Sequence, residues 1–395
     1  MVEPSAPPAL RIALVCPYSL SRPGGVQGQV VGLARALEAR EHKVTVFAPL
    51  DDPGDAPDDI DLVVTGHSVP LPSNGSRAPV SVSPRAAMRA VGALRLGHFD
   101  VVHVHEPFSP GLPYGLLVFR DIPPLVATFH RSGGSFFYSA LRPLTRRLAR
   151  RFALRCAVSE AARQTASAAV GGEYEVLFNG VEIDRYHDAE PWPTDRPTIL
   201  FLGRHEERKG LRVLLDAYGE LAGRHTAGAA SNGESESDGE SGSLVPALWI
   251  AGDGPETERL RRLYPASSTI HWLGVLNEEE KVRRLAAATV LCAPSLGGES
   301  FGMVLLEAMA ARTTVVASDI DGYRDATAGT AVLVPPGDVG ALATALGDVL
   351  GPIEHGADVR RRLDAASARA NGWSMSCLAE RYETLYRSVV VPPAR

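Results

Sequence analysis

Apolar positions along this chain change their period again and again. Leu10–Cys16 (LRIALVC) is apolar on both faces, as a buried parallel strand requires. Gly25–Arg40 then places Val26, Val30, Leu33, Ala34 and Leu37 at helical spacing. Strand-length runs follow at Lys43–Ala48, Asp100–His105, Leu125–His130, Arg155–Ser159 and Glu175–Phe178. A second series begins after the Pro-rich stretch Glu190–Pro197. Its strands are Thr198–Gly203, Ala247–Gly252, Ile270–Gly274, Val290–Pro294, Thr314–Ser318 and Ala331–Pro335, with helical patterns such as Asn277–Ala288 and Ser300–Ala311 between them. The alternation predicts an α/β chain of two doubly wound, Rossmann-like domains facing across a cleft, residues 9–190 and 191–376, hinged at Glu190–Pro197. Residues 377–389 predict a helix with one apolar face, which packs back on the first domain. Thr226–Ser243 is Gly, Ser and acid, cannot bury a core, and predicts a disordered insertion.

Composition narrows the classes. Among 395 residues, 45% are hydrophobic and 22% charged, which excludes wholesale disorder. The net charge of −6 gives no global attraction to nucleic acid. Four of the acids, Glu234, Glu236, Asp238 and Glu240, sit in the insertion, so the folded body is nearer neutral. Cys16, Cys156, Cys292 and Cys377 stand far apart, against a disulfide framework or zinc site and in keeping with a reducing cytoplasm. No apolar run approaches the roughly 18 residues of a membrane span, and the start lacks a secretory pattern. The expectation is a cytoplasmic protein.

Doubly wound domains bind ligands beyond the carboxyl ends of their strands, so residues there carry the candidate chemistry. Gly24-Gly25 opens the first helix, either as an approach for a phosphate or as a plain turn. Arg204 and Lys209 follow the first strand of the second domain, where a planar fork and a point charge can clamp a diphosphate; the alternative is solvated surface charge. Glu299 and Glu307 bracket Ser300, Phe301 and Gly302 in an E-x7-E pattern. Eight residues are about two turns on one helix face, with Glu299 at the N-terminal end where the dipole favours its charge. Glu307 lies among apolar neighbours and needs donors, which sugar hydroxyls supply. His103, His105 and His130 end strands of the first domain; their spacing lacks a closed metal-ligand set, His103 reads as a core histidine and His130 as a substrate contact.

Together these motifs resemble the retaining GT-B glycosyltransferases of family four, over nearly all of the chain. Cys16-Pro17-Tyr18-Ser19, Pro23-Gly24-Gly25-Val26-Gln27, Asn74-Gly75-Ser76, His105-Glu106-Pro107 and Ala127-Thr128-Phe129-His130 look within it like the actinobacterial phosphatidylinositol mannosyltransferases that add the first mannose. The resemblance implies transfer of mannose from GDP-mannose to the inositol ring of phosphatidylinositol at the cytoplasmic membrane face, without metal or other cofactor. It implies that Gly25, Arg204, Lys209, Lys281, Glu299, Ser300, Phe301, Gly302 and Glu307 bind the donor. Tyr18, Gln27, Asn74, Ser76 and Arg77 would line the acceptor site, and His130, Arg204, Lys209 and Glu299 would serve catalysis. Ser73 departs from the relatives' Tyr, and Arg77 stands in for a downstream Arg.

Ser139–Arg155 sets Leu141, Leu144, Leu148 and Phe152 on one stripe amid five arginines, a pattern for a helix lying on anionic lipid or packed on the sheet. The resemblance, with its lipid acceptor, favours the first: a peripheral protein on the inner face of the plasma membrane. Rival readings are a family-four transferase with another donor or acceptor (a sugar phosphate, a glycan or a different lipid), a nucleotide-sugar epimerase on the same fold, and a non-catalytic binding protein.

Overall fold

The computed structural model describes residues 8–22, 24–73, 76–119, 121–131, 142–231, 245–299, 301–351 and 357–390. The chain divides into two compact units, Met1–Gly180 with Met375–Arg395, and Val181–Ser374.

The first unit is built on β1 (Arg11–Val15), β2 (Lys43–Ala48), β3 (Asp61–Val64), the antiparallel pair β4 (Val69–Ser73) and β5 (Ser76–Val80), β6 (Val101–His105), β7 (Leu125–Phe129), β8 (Phe152–Ala157) and β9 (Glu175–Val176). Its main sheet is parallel throughout, in the order β3-β2-β1-β6-β7-β8-β9. Strands β6 and β7 are buried along their whole length, which is why they read as continuous apolar runs. One face of the sheet is covered by an apolar core of Val15, Phe47, Leu94, Val104, Leu116 and Phe129 among others.

The second unit carries β10 (Thr198–Leu202), β11 (Ala247–Ala251), β12 (Ile270–Gly274), β13 (Val290–Ala293), β14 (Thr314–Ser318) and β15 (Val332–Val334), in the order β12-β11-β10-β13-β14-β15. In both sheets the order reverses beside the first strand, between β1 and β6 and between β10 and β13. Loops leaving the carboxyl ends of strands at such a reversal diverge to opposite faces and leave a crevice.

Four expectations change. The helix expected over Ser139–Arg155 spans Arg142–Ala149 in the described residues; Phe152–Arg155 belong to β8 and pair with β7. Arg151 donates to the carbonyls of Leu117 and Phe119, and Arg155 to those of Gly171 and Ala149, so both are taken up inside the unit. The helix Leu211–Ser231 runs into the Gly/Ser/acid stretch, so Thr226–Ser231 are helical, while 232–243 lie outside the described residues. The division falls at 180/181 and 374/375 rather than at Glu190–Pro197. That stretch is strapped to its own unit: Trp192 N–H donates to the Arg283 carbonyl, and the Arg284 guanidinium lies 3.9 Å from the Trp192 ring centre and 4.3 Å from that of Trp249. Strand β3 was not foreseen, nor was the β4–β5 pair, where Pro70, Pro72 and Pro79 argue against strands; a two-stranded ribbon consists only of edges, where a missing N–H is tolerated.

The C-terminal helix Met375–Val390 packs on the helix Gly25–Glu38 of the first unit. Glu383 ties it down by accepting from Arg40 Nε at 2.8 Å, and Arg387 Nη2 of the same helix also donates to it at 2.8 Å. Burial opposes the Glu383 charge, but those guanidiniums outweigh it and hold its pKa at about 2, below the ordinary 4.5. A lowered carboxyl pKa contributes stability above the unfolded value and loses it as pH falls through the folded one. The predicted loss is about 2 kcal/mol between pH 4.5 and pH 2. Denaturant melts of the wild type and Glu383→Gln should therefore converge over that window; a constant gap would contradict the assignment.

Candidate functional site

The loops after β10 and β13 meet at the reversal point of the second unit. Gly210 has φ +69, and a Cβ there would lie 1.9 Å from the Pro294 carbonyl oxygen. Only glycine therefore allows the turn Glu207–Lys209 to press against the loop that follows β13. Leu296 N–H donates to the Arg208 carbonyl at 2.7 Å and laces the two loops together. Tyr323 supports the second loop from below through a 2.8 Å bond between its hydroxyl and Ser295 Oγ.

This lacing assembles a charge network. Glu206 takes Arg204 Nε at 2.7 Å and Arg208 Nε at 2.8 Å; Glu299 takes Arg208 Nη1 at 2.5 Å and Lys209 Nζ at 2.7 Å. Three cations share two carboxylates. The side chains of Arg204 and Arg208 are 52% and 46% exposed, so these pairs add little stability and are easily exchanged for a stronger anion. A group carrying two negative charges would draw the arginine forks away from Glu206 and Glu299. Arg204, Lys209 and Glu299, separated by up to 95 positions, are thus brought together. Arg208 and Glu206 were missed; only their adjacency to Lys209 and Arg204 pointed to them.

Glu299 and Glu307 do not share a helix face. The helix begins at Met303, capped by Gly302 at φ +73, and Glu299 stays in the preceding loop. Three residues with positive φ, Gly297, Gly298 and Gly302, turn the chain too sharply for the helix to start at Ser300. Ser300 itself lies outside the described residues. Phe301 is buried and packs on Trp373 with ring centres 4.6 Å apart, so its ring serves the fold. Glu307 accepts from Lys281 Nζ at 3.2 Å, and Lys281 also reaches Glu278 at 2.8 Å. Burial works against the Lys281 charge, yet Glu307, Tyr186 and Glu278 together raise its pKa. Lys281 therefore stands beside Glu307 as its counter-ion.

At the reversal point of the first unit, Tyr18 follows β1 and bridges to Val80 of the β4–β5 pair. Asp51, also missed, knits this corner by accepting from the Ser19 hydroxyl at 2.9 Å and the Ser68 hydroxyl at 2.7 Å. Gly25 opens its helix with nothing within 4 Å of a Cβ position, leaving the helix end open. Gln27 is buried, and its Nε2 donates to the carbonyls of Ser19 and Arg22; the amide braces the loop, leaving Oε1 for other contacts. Asn74 lies outside the described residues, and of Ser76 and Arg77 only the backbone, in β5, is described. His130 follows β7, its backbone N–H donating at 2.7 Å to the buried Glu106 carboxylate. Glu106 adopts φ +46, a conformation unusual outside glycine. Its carboxyl is pushed up by burial, against the pull of Arg131 and two backbone N–H groups. Among the described residues no group of three or more His, Cys, Asp or Glu is placed to hold a metal ion, and no helix is long and apolar enough to cross a membrane.

Comparison with known proteins sharpens the picture. The model described as "Glycosyltransferase Family 4" matches residues 23–185, and that described as "Glycosyl transferases group 1" matches 196–351. The chain is 37% identical over 392 residues to the phosphatidyl-myo-inositol mannosyltransferase of Mycobacterium leprae, covering 96% of this chain and 97% of that one. It is 35% identical over 393 residues to the protein of the same name from Mycobacterium tuberculosis, with the same coverage. This chain belongs to glycosyltransferase family 4. Its two Rossmann-like units have the GT-B architecture of that family: the Anabaena HepE structure with UDP and glucose superposes with a TM-score of 0.68 at 18% identity, over 96% of this chain and all of that one.

For a family 4 glycosyltransferase, the charge balance after β10 makes a direct prediction. Glu299→Ala removes one of two carboxylates facing three cations and should tighten a bare nucleoside diphosphate roughly threefold at low salt, while Arg208→Ala weakens it by a similar factor. Calorimetric titration with GDP and UDP reads both; unchanged affinity in both variants would contradict the network's role.

Proposed function

We propose that this enzyme transfers mannose from GDP-mannose to the inositol ring of phosphatidylinositol with retention at the anomeric carbon. The observation that carries the donor half is the loop pair holding Arg204, Arg208 and Lys209 around two carboxylates. In this reading the diphosphate takes the place of Glu299 and Glu206 on those cations. Charge that builds on the leaving oxygen is then met by side chains already aimed at it, which is where electrostatic catalysis gains most. Glu299, freed from Arg208 and Lys209, accepts hydrogen bonds from the sugar hydroxyls. Glu307 takes the ribose hydroxyls while Lys281 preserves its charge. The acceptor hydroxyl attacks from the face the diphosphate leaves, and the departing phosphate oxygen takes its proton.

The acceptor half is supported by relatives that carry the name phosphatidyl-myo-inositol mannosyltransferase at 35–37% identity. It is supported also by the corner of Tyr18, Gln27 and the β4–β5 pair, whose Asn74, Ser76 and Arg77 we assign to the inositol phosphate. A lipid acceptor requires a membrane-facing surface. Three adjoining helices of the first unit, Pro84–Leu96, Leu112–Val118 and Arg142–Ala149, expose Met88, Leu96, Val118 and Leu144 at 59%, 80%, 69% and 49%. Exposed arginines 85, 89, 146, 147 and 150 lie on or beside the same helices. Helices that expose both apolar side chains and cations suit an anionic lipid surface, each cation near it adding about 1 kcal/mol.

A panel of labelled GDP-, UDP- and ADP-sugars with phosphatidylinositol vesicles tests both halves. The expected product is mannolipid in the organic phase from GDP-mannose alone. Transfer to a soluble sugar favours another acceptor, and conversion of the donor without an acceptor favours an epimerase. Lys209→Ala should lower transfer by at least 100-fold with an unchanged thermal melt. Reversing Arg146 and Arg147 to Glu should release the protein from anionic vesicles; retained binding would remove this helix from the membrane surface.

A further inference from the structure

A seam of hydrogen-bonding rings crosses the first sheet beneath the C-terminal helix. His103 and His105, two apart on β6, share one face of the sheet. His103 is satisfied at both nitrogens, by the Tyr386 hydroxyl and by Thr128 Oγ1, each at 2.7 Å; Thr128 is in turn bonded to the Tyr382 hydroxyl at 2.9 Å. His105 lies between two neighbours, with its ring centre 4.2 Å from that of His103, tilted by 35°, and 5.1 Å from that of His130. Its Nδ1 lies 2.9 Å from Nε2 of His130, while its own Nε2 is buried with no hydrogen-bond partner.

We infer that His105 is a positioning residue that donates Nδ1–H to Nε2 of His130 and so fixes His130 as the Nδ1–H tautomer. Between two neutral imidazoles at this distance one ring must donate. Were His130 the donor, His105 would carry its proton on Nε2, a buried N–H with no acceptor. With His105 as donor the orphan is a bare ring nitrogen, and an unmatched acceptor is the better tolerated of the two. Asn179 is the neighbour whose side chain favours a proton on His130, although its buried Oδ1 makes no hydrogen bond. The opposite tautomer would bury the His105 Nε2–H without an acceptor.

The groups facing His130 are His105 and His103 from β6, Glu106 and Arg131 from the adjoining loops, Asn179, and Tyr382 and Tyr386 from the C-terminal helix through His103 and Thr128. Burial lowers the His130 pKa to about 4, so the ring is neutral at physiological pH. Protonating its Nε2 would also set two N–H groups against each other. His130 is thereby held as a hydrogen-bond donor and withheld from service as a general base. This last consequence rests on the reading of His130 as a group near the reacting centre; the tautomer does not.

Nitrogen-15 NMR of histidine-labelled full chain tests the tautomer with no substrate present. The expected spectrum shows protonated Nδ1 and bare Nε2 on His130 from pH 6 to pH 8; a proton on Nε2 overturns the inference. In transfer assays His105→Phe keeps a buried ring without the donor, and should lower kcat/KM on the order of 10- to 100-fold. It should also move the acid limb of the pH profile upward from its wild-type position, as Nε2 of His130 becomes free to take a proton. His105→Asn, whose amide can replace the Nδ1–H, should restore most of the rate and the wild-type profile. A folded His105→Phe with wild-type rate and profile overturns the positioning role. A wild type without transfer would overturn the proposed reaction and leave the spectrum as the test of the tautomer.

Discussion

The candidate site of the second unit depends on a charge imbalance: three cations in the loop after β10 hold two carboxylates and have capacity for more. Such a group is costly to assemble, because like charges repel and long side chains lose freedom. The fold meets that cost with backbone geometry. Gly210 lets the cationic turn touch the loop after β13, and the hydrogen bond from Leu296 locks the two together. Exposure of the two guanidiniums keeps their pairs exchangeable, so the network is organised without being satisfied. That state suits a site that must seize a dianion and release it after the sugar has left.

The first unit solves a different problem with buried polarity. Its central strand β6 carries two histidines in a fully buried run, and the C-terminal helix supplies tyrosine hydroxyls that satisfy His103 and Thr128. An apolar replacement would pack as well, but it would not define a ring orientation. Fully matched polar layers specify one arrangement. Nε2 of His105 has no partner in this layer, and the other nitrogen of the same ring meets His130, the histidine we propose near the reacting centre.

Much of this was legible in the chain. Continuous apolar runs located the long central strands to within a residue or two, and the order of strand and helix gave two Rossmann-like units. Within the second unit Arg204, Lys209 and Glu299, placed after strands, did come together, because a doubly wound sheet puts those loops at one end. What escaped reading was local. Prolines disguised the β4–β5 ribbon, three glycines delayed the helix after Glu299, and β8 began three residues earlier than its hydrophobicity suggested. Partners also escaped: nothing in the spacing said that Arg208 would join Glu206 to Glu299, that Lys281 would serve Glu307, or that Trp192 would pin a Pro-rich stretch to its own unit. Those depend on side-chain reach across elements, which periodicity does not encode.

The central claim is that the cation surplus after β10 exists to receive a diphosphate. Its most direct measurement is the affinity of the intact protein for guanosine, GMP and GDP in parallel, repeated with Arg204 and Lys209 both changed to Ala. Affinity should rise by at least tenfold with the β-phosphate in the wild type, and that step should vanish in the double variant. Equal affinities for the three ligands, or a β-phosphate step that survives the double substitution, would contradict the account.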